Sequence, residues 1–135
     1  MYRRRSLLNA IGTVIILGLF LAGCGGGKSP GLRIEMTDFS FTPAEMSVPP
    51  GQTITLNATN KGANDHEFVI MNLGQEVSVP FGDVDEGKIY WEVEVGSSES
   101  KVVTFTAPSQ PGKYQIVCGL PGHIEHGMLG TLTVQ

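Results

Sequence analysis

Short runs in which apolar and polar residues alternate recur along this chain at spacings of roughly ten residues, with Gly, Pro, Asn and Asp between them. The alternating runs are residues 32–37, 53–59, 89–95, 102–107, 113–118 and 129–134. In residues 89–95, Trp91, Val93 and Val95 share one face and Glu92 and Glu94 the other. Residues 66–71 form a denser apolar run, as a central strand does. Pro49-Pro50-Gly51, Lys61-Gly62 and Pro111-Gly112 are turn signals, and no segment beyond the N-terminal apolar stretch keeps a helical period. The pattern predicts an all-β sandwich or barrel of antiparallel strands. Residues 72–88 are less regular and read as a long loop with one helical turn. The acids Asp83, Asp85 and Glu86 in that loop form either a docking patch or a solvated surface.

The N-terminus reads as a targeting segment. Arg3, Arg4 and Arg5 precede an apolar run over residues 11–21, followed by the small residues Ala22 and Gly23. That is the pattern of a secretory signal peptide over residues 1–23, too short between its flanks for a spanning helix. Leu21-Ala22-Gly23-Cys24 resembles the lipobox of bacterial lipoproteins. The resemblance implies that Cys24 is lipidated and becomes the new first residue. The chain would then be anchored by acyl groups in the cell membrane or outer membrane, with its domain facing the periplasm or the cell exterior. Residues 24–31, rich in Gly, form a flexible tether, and residues 32–135 a single folded domain.

Removing the three signal arginines leaves 6 basic against 13 acidic residues, a net charge of about −7 compared with −4 for the whole chain. Such a balance excludes nucleic acid as a partner, because phosphate backbones need a basic surface. It favours a partner with a cationic docking surface. With Cys24 committed to lipid, Cys118 is the sole remaining thiol of an exported domain and has no disulfide partner within the chain. Metal ligation accounts for such a cysteine, since it consumes the thiolate.

Cys118 opens the densest chemical pattern in the chain. Four residues separate it from His123, and four more separate His123 from Met128. A thiolate, an imidazole and a thioether on one tight loop suit copper cycling between Cu(I) and Cu(II), with two histidines, one cysteine and a weak axial methionine. His66, at the start of the apolar run 66–71, is the candidate second imidazole. Gly119 and Gly122 permit a tight backbone and Pro121 stiffens it. His126, between His123 and Met128, is the competing imidazole and reads as an exposed loop residue. Met36, Met46 and Met71 lie outside the loop and read as core or surface, and Tyr114 as a core residue beside the ligand strand.

The stretch from Tyr114 through Cys118, His123 and Met128 to Gly130-Thr131-Leu132-Thr133-Val134 resembles the copper-site loop of the cupredoxins, the blue copper proteins. The Cys-x4-His-x4-Met spacing is similar to that of the auracyanin- and rusticyanin-like branches, whereas plastocyanins have a shorter gap between Cys and His. The resemblance implies a Greek-key β-sandwich of seven to eight strands holding one copper ion near one end. Its ligands would be His66, Cys118, His123 and Met128, with the electron passing through the His123 ring edge. Leu120, Pro121 and Leu129 would form an apolar collar for docking. Glu67 departs from the family pattern, in which a small polar residue follows the first histidine.

The resemblance implies an electron carrier, not an enzyme, because four ligands leave no open position for substrate. The expected partners are redox proteins, a cytochrome or a membrane respiratory or photosynthetic complex, and the expected state is a monomer. The alternative is a copper-binding protein for delivery, storage or resistance. A metal-free structural sandwich would require the ligand spacing to be accidental.

Overall fold

The computed structural model describes residues 29–135. The signal segment, Cys24 and most of the tether lie outside the described residues. Nine strands and one short helix follow in order: β1 (Gly31–Thr37), β2 (Ser40–Thr42), β3 (Glu45–Val48), β4 (Thr53–Asn60), β5 (His66–Met71), α1 (Asp83–Glu86), β6 (Ile89–Val95), β7 (Ser100–Thr106), β8 (Gly112–Val117) and β9 (Leu129–Val134). The alternating runs all become strands, and the irregular segment is a loop with a single helical turn, as its sequence indicates. The strand count exceeds the expected seven to eight because β2 and β3 are only 3 and 4 residues long, too short to show a period.

The strands form two packed sheets, ordered β2-β1-β4-β7 and β3-β9-β8-β5-β6. The chain changes sheet at β2–β3, β3–β4, β4–β5, β6–β7 and β7–β8, so sheet neighbours are mostly not sequence neighbours. That is why the sheets are mixed and not wholly antiparallel: β1 pairs with β4, and β3 with β9, in parallel. The β1–β2 hairpin turns on two residues, Asp38 and Phe39, with Thr37 opposite Ser40. Phe39 takes a left-handed φ of 69° there, as the second central residue of a type II turn does.

Alternation places Ile34, Met36, Ile54, Leu56, Ala58 and Phe105 of the first sheet against Phe68, Ile70, Tyr114, Ile116, Leu132 and Val134 of the second. Trp91 stacks on Phe105 with ring centroids 4.8 Å apart, joining strands β6 and β7 across the two sheets. β5 is buried on both faces, which explains its unbroken apolar sequence. Its outer residues Val69 and Met71 pack with Val117 and Ile124 beneath Val77, Phe81 and Ile89. The loop over residues 72–88 therefore serves as a lid for the second sheet. Buried Asp85 fastens it, accepting hydrogen bonds from Ser78 N (3.1 Å), Gly82 N (3.1 Å) and Lys88 Nζ (2.9 Å).

Candidate metal centre

His66 opens β5, and Cys118 directly follows β8. The two strands are antiparallel neighbours, with Val69 opposite Val117, so the start of one lies beside the end of the other. Parity does the rest. His66 shares the inner face with Phe68 and Ile70, and Cys118 shares it with Tyr114 and Ile116. Both side chains thus enter the same end of the core.

His123 and Met128 come from the loop joining β8 to β9. Cys118 N donates to Met128 O (3.3 Å) and Met128 N to His123 O (3.0 Å), which closes the loop like an extension of the β8–β9 ladder. Gly122, with φ of 85°, turns the chain just before His123, a conformation glycine adopts without penalty. Gly119 leaves room for two neighbouring side chains. A Cβ there would stand 2.8 Å from Glu67 Oε2 and 3.2 Å from the Phe81 ring.

The nitrogen Nδ1 of His66 lies 3.2 Å from Nδ1 of His123, which lies 3.2 Å from Cys118 Sγ. One ligand atom from each of the three residues falls within 4.8 Å of the others, and all three residues are buried. Met128 is fully buried against the same core. The two ring nitrogens and the sulfur converge in one buried cluster, where a single bound cation would serve all three at once. The donor set of soft sulfur and borderline nitrogen fits a copper ion.

The protonation states agree with that fit. Burial, and then the neighbouring His66, hold the His123 imidazole below its ordinary pKa, so it is neutral and its lone pair is available. Burial pushes the Cys118 thiol up, against the opposing pull of the Glu67 and Leu120 N–H groups. A metal ion displaces such a proton when it binds. Glu67 N donates to Cys118 Sγ at 3.3 Å, so β5 is tied to the cysteine through its backbone. At the position where the family pattern has a small polar residue, the main chain makes this link. The Glu67 carboxyl is itself raised, first by burial and then by Glu92, Glu94 and Glu86.

His126 is exposed and outside the cluster, with Nδ1 2.6 Å from Gly122 O. His123 is only 8% exposed, with Phe39 packed edge-on against its ring at a centroid distance of 5.4 Å and stacked on His126 at 4.4 Å. Of the proposed collar, Pro121 and Leu129 are exposed and Leu120 is half-buried against the core. The β1–β2 turn contributes two residues that the sequence reading did not place here, Asp38 and Phe39. Its one signal was a bare aromatic in a polar hairpin turn.

The profile of the Cupredoxin-like domain family matches residues 13–134. The chain belongs to the cupredoxin-like family. Among its relatives, the copper-resistant cuproprotein CopI of Rubrivivax gelatinosus is 33% identical over 113 residues, covering 77% of this chain and 66% of CopI. Auracyanin-B of Chloroflexus aurantiacus is 30% identical over 120 residues, covering 76% of this chain and 50% of auracyanin-B. This cupredoxin therefore spans less than two thirds of CopI and half of auracyanin-B. The crystal structure of dithionite-reduced auracyanin from Roseiflexus castenholzii superposes with a TM-score of 0.66 at 30% identity, covering 81% of this chain and 99% of the auracyanin. Among the described residues of this cupredoxin, no helix is long and apolar enough to cross a membrane.

Proposed function

We propose that this cupredoxin is a one-electron carrier outside the cytoplasm, holding a single copper ion through His66 Nδ1, His123 Nδ1, Cys118 Sγ and, more weakly, the Met128 thioether. The observation that carries the proposal is the convergence of two Nδ1 atoms and one Sγ in a buried cluster, with His123 Nδ1 3.2 Å from each of the other two atoms. Bound copper supplies reversible one-electron chemistry between Cu(I) and Cu(II). The protein's part is to hold the donors still. His66 and Cys118 are anchored by adjacent strands, and His123 and Met128 by the hydrogen-bonded loop between β8 and β9. A rigid, buried donor set leaves little to rearrange when charge changes.

The setting is proposed with the site. Residues 1–23 act as an export signal, lipid on Cys24 anchors the chain, and residues 32–135 are the copper domain. The partner is a cytochrome or a membrane redox complex with a cationic face. This is supported by the acidic balance of the chain and by exposed Asp83, Glu86, Glu92 and Glu94. Contact would be small and transient, centred near Phe39, Pro121 and Leu129, and the carrier would work as a monomer.

Purified chain loaded with Cu(II) should show an intense red-region absorption band that reductant bleaches reversibly. Cys118→Ser should abolish the band while the fold persists. A colourless product would sink the carrier reading. Relatedness to the copper-resistant cuproprotein favours a second reading, copper resistance or delivery without electron transfer. In that case a mild chelator would strip the metal within minutes, whereas a carrier would retain it.

A further inference from the structure

We propose that Asp38 is a positioning residue for His66: its carboxylate accepts a hydrogen bond from the His66 Nε2–H and so leaves the Nδ1 lone pair for copper. The inference rests on the copper reading above. His66 is fully buried, and Nε2 is its one side-chain atom without an aligned hydrogen-bond partner. The carboxylate nearest to it is that of Asp38, with Oδ1 3.3 Å away, within ion-pair distance though off the line of a hydrogen bond. A buried N–H left without an acceptor is costly, so a small rotation that completes this contact is favoured.

The carboxylate is held in place independently of the histidine. It accepts from Ala63 N at 3.2 and 3.3 Å, and its Oδ1 accepts from Asn64 N and Asn64 Nδ2 at 3.3 Å each. Asp38 therefore gathers the turn that leads into His66 and places its charge behind the imidazole. Gly62 lies against the pair, whose Asp38 side chain is 35% exposed. A Cβ at that position would lie 2.5 Å from Asp38 Oδ1 and 2.7 Å from His66 Nε2, so only glycine lets the backbone cover this contact without pushing it apart.

The chemistry is that of a carboxylate–imidazole–metal relay. A carboxylate on the far nitrogen fixes the tautomer, orients the ring and raises the basicity of the ligating nitrogen. Its negative charge also favours the more highly charged copper state. Asp38 should thus strengthen Cu(II) binding and hold the reduction potential down. The same two-residue turn serves both imidazoles, with Asp38 behind His66 and Phe39 against His123.

The test compares full-length chain in detergent with Asp38→Asn, which is nearly isosteric and neutral, and Gly62→Ala, which keeps both partners but separates them. Both variants should shift the Cu(I):Cu(II) ratio about tenfold toward Cu(I) at a fixed ambient potential, which is ~59 mV for one electron. Asp38→Asn should also weaken Cu(II) affinity about tenfold. If Asp38 only holds the turn over residues 63–64, its loss lowers the thermal midpoint and leaves the potential unchanged, and the proposal fails. Nitrogen-15 NMR of metal-free wild-type chain decides the matter even if the variants do not fold or the chain binds no copper. His66 as the Nε2–H tautomer with a downfield Nε2 proton is the expected result. The Nδ1–H tautomer overturns the proposal.

Discussion

The side chains around His66 are set by buried polar groups as much as by packing. Asn60, at the end of β4, is buried and uses three of its hydrogen-bonding positions. Its Nδ2 donates to Asn64 O (2.8 Å) and Val95 O (3.0 Å), and its Oδ1 accepts from Gly62 N (2.8 Å). One amide thus links the first sheet to β6 of the second and shapes the turn that delivers His66. Asn60→Ala strands two carbonyls and an N–H, and should cost roughly 2–4 kcal/mol in denaturant unfolding. A loss below about 0.5 kcal/mol, the scale of an ordinary surface change, would refute the role. Asn60 lies one residue past the alternating run 53–59 and is not singled out by it, although it continues the inward parity of Ile54, Leu56 and Ala58. The partners were not legible, because they come from a turn and from another sheet. The same holds for Asp38, whereas Cys118, His123 and Met128 stand on one short loop, so their spacing alone brings them together as candidates.

At the scale of elements, local pattern and long-range pairing divide the same way. Every alternating run is a strand because period two survives in the sequence, while β2 and β3 are defined by their neighbours β1 and β9. The acids of the 72–88 loop separate by position. Asp83 and Glu86 are exposed, but Asp85 is buried and structural, so it is unavailable for docking. The Lys88 ammonium, followed by the Ser78 and Gly82 N–H groups, holds the Asp85 carboxyl below its ordinary range, against the opposing effect of burial. A carboxylate with a lowered folded pKa contributes stability above its unfolded pKa and loses it as pH falls through the folded value. The loop's contribution should therefore be full at neutral pH and decline from about pH 4 downward. Thermal midpoints recorded from pH 7 to pH 2 should show a smaller acid-induced fall in Asp85→Asn than in wild type. They should also show a lower midpoint at pH 7, where the charged contacts are lost. Parallel curves for the two proteins would remove Asp85 from the acid response.

For the whole molecule, the question is whether the metal makes the fold or the fold makes the metal site. The main core runs through both sheets, from Ile34 to Val134, and most of it lies away from the ligand end. A described domain of this size buries enough apolar surface to stand alone, unlike small domains that are unfolded without their ion. The candidate metal end, by contrast, gathers buried His66, His123 and Cys118, whose ring nitrogens and sulfur face one another and whose His66 Nε2 has no hydrogen-bond partner. Copper should then act as a ligand of the native state only. Free metal at a hundredfold excess over its Kd adds ~2.7 kcal/mol of stability. Stripping copper with a strong chelator should lower the thermal midpoint and leave the far-ultraviolet circular dichroism at 25 °C unchanged. Cys118→Ser should melt near the stripped protein whether or not copper is added, because on the proposed assignment the thiolate is the softest and strongest copper donor. Collapse of the β spectrum on stripping would mean that the ion organises the sandwich, and that the pre-formed convergence of His66, Cys118 and His123 is not what holds it.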